Sequence, residues 1–389
     1  MQAIYCDYCA TTPVDERVVA AMLPYFTEFF GNAASRAHKL GQQAAVAVEH
    51  ARGQCASAIG CRPADIIWLS GATEANNLAI KGTAAQYEAK HGCPGHIVTQ
   101  ATEHKAVLDP VRSLEEKGWR VTILPVSDSG VLVAEDVAAA IAEDTALVSI
   151  MSVNNELGVI MPIEAIGAVC QSRGVPFHSD ASQSVGKVPV SVRESLVDLL
   201  SVSAHKFYGP KGIGALAIRR SAKGVRPLAL QDGGGHERGF RSGTLNVPGI
   251  VGMGVACELA SGALEAESSR IRHLRDCFES LLVQEVPDVV VHSVAATRVG
   301  HVSNLAFLGV DSECLLMQLE NVAASTGSAC TSRAIEPSHV LTALRLSEDE
   351  KTSSVRFSFG RFTTGNEIRA VASAIRDVVF NLRAVGRRA

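Results

Sequence analysis

A lysine that directly follows an apolar segment, with a histidine beside it, is the feature of this sequence most suggestive of chemistry. The apolar residues 196–202 predict a buried strand, and Ser203, His205 and Lys206 come immediately after it. Because lysine is rarely buried unless its amine is used, Lys206 is a candidate for an amine that forms a Schiff base with an aldehyde cofactor. The alternative is a solvated lysine at the end of a strand.

A segment of small residues earlier in the chain has the properties of a phosphate-binding turn. Residues 70–74 read Ser-Gly-Ala-Thr-Glu and separate a predicted strand from a predicted helix. Small side chains at Ala72 and its neighbours let backbone amides approach an anion, whose charge the helix N-terminus stabilises. Thr73 adds a hydroxyl donor. The alternative is a simple N-cap of the helix.

Three further strand ends carry polar residues that packing does not require. His104 follows one predicted strand and can stack on a planar ring, whereas Asn155 follows another and can hydrogen-bond a ring oxygen. Asp180 follows a third, where a carboxylate facing a pyridinium nitrogen keeps that nitrogen protonated and makes the ring an electron sink. Taken alone, an aspartate such as Asp180 is more often a helix cap. Together with Lys206, these positions predict a site for a phosphorylated, planar, cationic ring, which describes pyridoxal phosphate.

Alternating strands and helices in the first part of the chain predict an α/β fold. Strands are predicted at 66–69, 96–99, 120–124, 146–153, 175–178, 196–202 and 214–218. Helices are predicted between the first five of these, at 74–90, 105–117, 134–142 and 163–173. Such alternation is typical of a mainly parallel sheet covered by helices on both faces, with ligands beyond the carboxyl ends of the strands.

The pattern changes in the last third of the chain. A long helix at 250–282 precedes shorter strands at 289–292, 302–307 and 355–359, and an amphipathic helix follows at 366–384. This order indicates a smaller α+β domain. We predict a large cofactor-binding domain over 16–261 and a small domain built from 1–15 and 262–389.

Composition excludes several classes of function. The 389 residues are 47% hydrophobic and 20% charged, with a net charge of −4, so no general attraction to nucleic acid or anionic lipid is expected. No apolar stretch is expected to cross a membrane, and the first residues lack a secretory signal. These features predict a cytoplasmic protein.

The ten cysteines are expected to be mostly buried thiols. Cys6 and Cys9 have the spacing of a metal or redox pair, but no second close pair or nearby histidine completes a site, so no metal is predicted.

Motifs along almost the whole chain resemble one family. They are Ala-Thr-Thr-Pro at 10–13, Phe-Gly-Asn at 30–32, the segments 70–74, 102–105, 153–156, 180–183, 205–206, 233–238 and 241–244, Gly-Ser-Ala-Cys-Thr-Ser at 327–332, and Arg-Phe-Ser at 356–358. Together they are similar to the cysteine desulfurases of the NifS/IscS type, which are fold type I enzymes that use pyridoxal phosphate. The expected fold is therefore a large domain with a mainly parallel sheet plus a smaller α+β domain.

The resemblance implies a role for each matching residue. Lys206 holds the cofactor as an imine, His104 stacks on the ring and moves protons, and Asp180 pairs with the ring nitrogen. The remaining cofactor contacts are implied for Ala72, Thr73, Asn155, Gln183, Ser203 and His205. Thr244 is implied to reach the phosphate of a neighbouring subunit, which predicts a homodimer. Arg356 is implied to bind the substrate carboxylate, with Asn32 and Asn155 nearby.

The resemblance also assigns the sulfur chemistry to a cysteine in the second half of the chain. Cys330 is implied to attack the sulfur of bound L-cysteine, so that L-alanine leaves and a persulfide remains for transfer to an acceptor protein. Cys6 and Cys9 replace the residues expected beside Asp7, Ala204 stands where glycine is common, and the chain is shorter than members with a long C-terminal tail.

Several alternatives stay open on the sequence alone. The acceptor is either a scaffold for iron–sulfur cluster assembly or an enzyme of DNA or RNA sulfur modification. The order of preference between cysteine and selenocysteine is also open. An aminotransferase or lyase of the same fold would need Lys206 and Asp180 but not Cys330. A third alternative is a non-catalytic protein that keeps the fold.

Overall fold

Strands and helices alternate along most of the chain, which a computed structural model describes over residues 3–220, 223–326 and 338–386. The strands are β1 (Ile4–Tyr5), β2 (Ile66–Leu69), β3 (His96–Gln100), β4 (Arg120–Leu124), β5 (Thr145–Ser149), β6 (Phe177–Asp180), β7 (Leu199–Ser203), β8 (Gly214–Ile218), β9 (Val289–Val291), β10 (Val302–Phe307), β11 (Val322–Ala323) and β12 (Ser354–Ser358). The helices are α1 (Glu16–Met22), α2 (Pro24–Thr27), α3 (Lys39–Ala58), α4 (Ala72–His91), α5 (Lys105–Glu115), α6 (Ala134–Ala140), α7 (Ile163–Ser172), α8 (Val247–Glu285), α9 (Ser312–Gln318), α10 (His339–Ala343), α11 (Glu348–Thr352) and α12 (Gly365–Gly386).

The central sheet has seven strands in the order β2-β8-β7-β6-β5-β3-β4. Pairing is parallel from β7 through β6, β5 and β3 to β4, and β8 alone runs antiparallel to its neighbours β7 and β2. Every residue of β3, β5, β6, β7 and β8 is buried, as expected when helices cover both faces. The predicted α/β fold with a mainly parallel sheet is therefore confirmed.

Two predicted strands are displaced, and each displacement has a local cause. The strand predicted at 196–202 begins at Leu199, because Leu196 has a positive φ of 56° and turns the chain. The strand predicted at 175–178 lies at Phe177–Asp180, because the Val175 N–H still bonds the Cys170 carbonyl at the end of α7. This shift places Asp180 in the last position of β6 rather than beyond it.

Apolar side chains gather in separate clusters on the two halves of α8. One cluster packs α3 and the first part of α8 against the central sheet. Another surrounds the three-stranded sheet β12-β10-β9, with the later part of α8 and α12. The N-terminal strand β1 pairs with β11 beside this second cluster. Helix α8 runs without a break through residue 262, so no end of a helix marks the domain boundary predicted there. That boundary stays a prediction.

Helix α8 is long and apolar enough, by length and composition, to cross a membrane. The expectation that no stretch would meet these criteria is therefore wrong. Its apolar residues serve another purpose, since 56% of the most apolar window is buried inside the molecule, against both clusters.

A buried histidine in β6 makes stability depend on pH. His178 bonds Ser149 Oγ at 2.8 Å and Ser201 Oγ at 3.0 Å, and burial lowers the pKa of its ring to about 4. The unfolded chain takes up this proton near pH 6.5, so stability is full above that pH and falls as pH drops towards 4. We expect His178→Gln to remove about 2 kcal/mol of the difference in unfolding free energy between pH 7 and pH 5.

Urea unfolding at both pH values measures this difference. The matched control is His273→Gln, because His273 lies on an exposed face of α8. An unchanged pH dependence in His178→Gln would contradict the assignment.

Candidate active site

A cavity of about 800 Å³ lies at the carboxyl ends of the parallel strands. Its lining includes most of the residues singled out in the sequence, namely Ala72, Thr73, His104, Asn155, Asp180, Gln183, Ser203, His205, Lys206 and Arg356. The strand order brings these residues together although they are separated by up to 284 positions (356 − 72) in the chain. Parallel strands end at one edge of the sheet, so the polar residues that follow them converge there.

Three predicted site residues are not placed in this cavity. Asn32 and Thr244 line a different, smaller cavity of about 150 Å³ together with Tyr25 and Phe30. Asn32 Oδ1 accepts the Ala34 N–H at 2.9 Å, which holds the turn in which it lies. Cys330 lies outside the described residues.

Lys206 ends a short 3₁₀ turn that follows β7. Its Nζ donates to the carbonyl oxygens of Cys9 at 2.6 Å and Ala10 at 2.9 Å. The N-terminal segment is therefore part of the site, which the local sequence pattern gave no reason to expect. Gln183 Nε2 also donates to the Cys9 carbonyl, at 3.0 Å.

Both oxygens of Asp180 are fixed by hydrogen bonds. Oδ1 accepts the Ser182 N–H at 2.9 Å and the Ser182 hydroxyl at 2.5 Å, and Oδ2 accepts Asn76 Nδ2 at 2.7 Å. Sequence reasoning missed Asn76, which is fully buried on the sheet-facing side of α4. The available signal was an amide at a helix position where packing requires an apolar side chain. These contacts orient the carboxylate at the end of β6, as a partner for a ring nitrogen requires.

His104 caps the N-terminus of α5. Its Nδ1 accepts the Ala106 N–H at 3.1 Å, so the proton of the neutral ring resides on Nε2. Burial lowers the pKa of His104, and the charge of Lys206 adds to this effect, although Asp180 opposes it. At neutral pH, His104 therefore lines the cavity as an uncharged ring that donates from Nε2.

The donors at one end of the cavity fit a phosphate group. Gly71 precedes α4 without a side-chain cap among the described residues, so the amides of the first turn remain available to an anion. Ser203, His205 and Lys211 also line the cavity. Burial lowers the pKa of His205 to about 4, helped by the charges of Lys206 and Lys211, so its ring is neutral at pH 7.

Arg356 lies in β12 and is only 3% exposed. Its NH2 group donates to Asp7 Oδ1 at 2.7 Å and to Ser325 Oγ at 3.1 Å, while NH1 donates to the Asn155 carbonyl at 3.0 Å. Its Nε has no hydrogen-bond partner within the described part of the chain. A buried N–H of this kind is a donor available to a ligand carboxylate.

Further residues of the cavity were missed by the sequence reasoning. Glu156, Ser338 and His339 line it, and the Ser338 hydroxyl donates to Glu156 at 2.5 Å. His339 Nε2 donates to the Glu103 carbonyl at 2.8 Å. Burial raises the pKa of Glu103 to about 8, so this acid is largely protonated at neutral pH. The signal available in the sequence was the acidic residues Glu103 and Glu156, each of which follows a predicted strand.

Cys6 and Cys9 are both buried. Among residues 3–220, 223–326 and 338–386, no cluster of three or more histidine, cysteine, aspartate or glutamate side chains could hold a metal ion.

Comparison with known proteins explains this constellation. Residues 4–371 match the family model described as aminotransferase class-V. The cysteine desulfurase IscS of Anaeromyxobacter sp. (strain Fw109-5) is 52% identical over 380 residues, covering 98% of this chain and 93% of that protein. The chain belongs to the cysteine desulfurases of the aminotransferase class-V family. This desulfurase uses pyridoxal phosphate and converts L-cysteine to L-alanine.

Solved structures agree with this assignment. A NifS-like protein has a TM-score of 0.89 and 34% identity, with 97% of this chain and 99% of that chain covered. The structure titled SspA in complex with cysteine has a TM-score of 0.81 and 37% identity, with 92% and 99% covered. The high scores over nearly complete chains confirm the fold type I architecture.

The residues of this desulfurase fit pyridoxal phosphate at each end of the cavity. The N-terminus of α4 with Thr73, Ser203 and His205 would hold the phosphate, and Asp180 would face the ring nitrogen. When bound, the ring supplies an electron sink for the bonds that break at the substrate α-carbon. The chain supplies the amine of Lys206 in the lining of the same cavity.

Proposed function

We propose that sulfur leaves this desulfurase through Cys330, which holds it as a persulfide for an acceptor protein. The Cys330 thiolate attacks the sulfur of bound L-cysteine, so a sulfur–sulfur bond forms as the substrate carbon–sulfur bond breaks. The substrate carbon takes up a proton, and L-alanine leaves. One cysteine and one enzyme thiol thus yield one alanine and one persulfide, with no external oxidant or reductant.

The described residues supply the proton transfers and the substrate contacts. We assign the removal of the substrate α-proton to the amine of Lys206, which faces the cavity from β7. His104 donates from Nε2, the nitrogen that its N-cap contact leaves protonated. Arg356 binds the substrate carboxylate through Nε, which has no hydrogen-bond partner among the described residues.

The observation that carries the Cys330 proposal is the position of the residues on either side of it. Ser325 Oγ accepts from Arg356 at 3.1 Å, and Ser338 lines the cavity while it donates to Glu156. The chain is therefore at the cavity both before and after Cys330. Cys330 follows Ser325 by five residues and precedes Ser338 by eight, and a chain spans at most about 3.5 Å per residue, so these two contacts support a role for Cys330 at this cavity.

Trapping the persulfide tests this proposal. The holoenzyme is incubated with L-cysteine without reductant, its thiols are alkylated, and its peptides are analysed by mass spectrometry. One additional sulfur atom is expected on the peptide with Cys330 and on none of the peptides with the other nine cysteines. Additional sulfur on another cysteine, with Cys330 unmodified, would refute the assignment.

Loss of the carboxylate-binding arginine is expected to raise KM more than it lowers kcat. Arg356→Gln removes the charge that binds the carboxylate in both ground state and transition state, so KM should rise about 100-fold. Arg356→Lys is expected to restore little, because a lysine lacks the bidentate geometry of the guanidinium group. Steady-state turnover of L-cysteine measures both parameters.

The matched control for this prediction is Arg275→Gln. Arg275 is also buried, at 6% exposure, but pairs with Asp276 and lies away from the cavity lining. An unchanged KM in Arg356→Gln would contradict the assigned role.

We also propose that the working unit is a homodimer in which Thr244 completes the phosphate site of the partner. Thr244 and Asn32 lie together away from the main cavity, beside Phe30, which is 64% exposed. Leu23, between α1 and α2, and Phe26, on α2, are also more than half exposed. Such neighbouring apolar side chains are typical of an interface.

Sedimentation of the wild type and of Phe26→Glu tests the proposed homodimer. A monomeric wild type would refute it.

The acceptor is proposed as a protein of the cytoplasm, with no direct role for nucleic acid or membrane. A cluster scaffold and a sulfur-modification enzyme both fit the chemistry, because each requires only that a thiol reach the Cys330 persulfide. Pulldown with the persulfide trapped on Cys330 identifies the acceptor.

A further inference from the structure

Lys187 is a buried lysine that the chemistry described above leaves unused. It lies in the turn after β6, with 8% of its surface exposed, and its Nζ donates to the backbone carbonyl of Lys206 at 2.8 Å. Lysine is rarely buried without a partner for its charge. Within the described ranges, no carboxylate lies within ion-pair distance of Lys187.

Some of the charged and titratable groups around Lys187 raise its pKa and others lower it. Cys9 and Glu267 favour its charged form, Lys206 and Arg361 oppose it, and Lys187 in turn disfavours a charge on His301. Burial outweighs the favourable contributions and lowers the pKa of Lys187 to about 8. Below that pH, a largely uncompensated positive charge is therefore held directly beneath the turn that carries Lys206.

The two carbonyl contacts of Lys206 act in the opposite sense. The oxygens of Cys9 and Ala10, at 2.6 and 2.9 Å from Nζ, stabilise a protonated amine. A protonated amine cannot take a proton from the substrate. An opposing influence is needed if the amine is to act as a base at neutral pH.

We propose that Lys187 is a positioning residue whose positive charge lowers the proton affinity of the Lys206 nitrogen. A like charge in a site of low dielectric disfavours the protonated form of its neighbour, as cationic groups do beside other reactive lysines. The hydrogen bond to the Lys206 carbonyl fixes the distance over which this charge acts. The proposal rests on the role of Lys206 as the amine that holds the cofactor.

Three variants separate the charge of Lys187 from its hydrogen bond. Lys187→Gln keeps an N–H donor without the charge, Lys187→Met removes both, and Lys187→Arg keeps both. The readout is the midpoint pH at which the visible absorption band of the bound cofactor titrates in the holoenzyme without substrate. The midpoint is expected to rise by about one unit in the Gln and Met variants and to stay near the wild-type value in the Arg variant.

Each other result overturns the proposal. A shift in Lys187→Met without one in Lys187→Gln assigns the effect to the hydrogen bond, and the absence of a shift in both leaves Lys187 a structural residue. If Lys187→Met does not fold, Lys187→Gln and Lys187→Arg still differ in charge. Failure of the proposed function is seen separately, as turnover of L-cysteine that persists in Lys206→Ala.

Discussion

Replacement of Lys206 by alanine is expected to abolish the conversion of L-cysteine to L-alanine, with a loss of about four orders of magnitude or more in kcat. The amine is proposed both as the attachment point of pyridoxal phosphate and as the base, so a single substitution removes both functions. Lys206 reaches the cavity from the end of β7, opposite Asp180 on the neighbouring strand β6.

Turnover of L-cysteine and the visible spectrum after removal of free cofactor measure this loss. Lys206→Arg retains a positive charge and donors for the Cys9 and Ala10 carbonyls but forms no imine, so it is expected to be as inactive as Lys206→Ala. The matched control is Lys117→Ala, because Lys117 is exposed just beyond α5. Turnover at a tenth of the wild-type rate or more in Lys206→Ala would refute the assigned role.

The strand ends could be predicted from local sequence because burial and exposure change there abruptly. Strands β3, β5 and β7 are buried along their whole length, since helices cover both faces, and the residues that follow them are free of that requirement. Polar residues at the ends of such strands, including His104, Asp180 and Lys206, can be recognised from the sequence alone. Parallel pairing then brings them to one edge of the sheet, so the cavity follows from the pattern.

Contacts between distant segments could not be predicted in this way. Arg356 and Asp7 are 349 residues apart, and Lys206 meets the Cys9 carbonyl across 197 residues. No periodicity relates such positions, because their proximity depends on how β1 and β12 pack beside the central sheet. The placement of Thr244 outside the cavity has a similar origin, since its proposed ligand belongs to a second copy of the chain.

These distant contacts also change how the predicted residues work. The carboxylate of Asp7 already bonds Arg356, so in the proposed role a substrate carboxylate would share the guanidinium group rather than meet a free cation. A local contact likewise restricts His104, whose ring was expected to stack on the cofactor ring and to move protons. Its N-cap contact restricts the neutral ring to donation from Nε2.

Replacement of Cys330 by serine is expected to lower alanine formation from L-cysteine by about 1000-fold or more while the visible band of the cofactor persists. A serine hydroxyl is not ionised at neutral pH and does not attack sulfur, so the substrate carbon–sulfur bond has no acceptor for its sulfur. Because Lys206, Asp180 and the phosphate site are untouched, cofactor binding should equal that of the wild type. Alanine and sulfide production, together with the absorption spectrum, measure both effects.

The same variant separates a desulfurase from an aminotransferase or lyase of this fold. Those reactions need the amine of Lys206 and the carboxylate of Asp180, so they would continue in Cys330→Ser at nearly the wild-type rate. Cys314→Ser is the matched control, because Cys314 is exposed on α9 and its pKa is raised by the hydrogen bond and charge of Asp311, which makes it a poor nucleophile. If Cys314→Ser loses activity while Cys330→Ser retains it, the sulfur acceptor is Cys314 and the proposed mechanism is refuted. Loss in Cys330→Ser alone would place carbon chemistry at Lys206 and sulfur acceptance at a separate thiol.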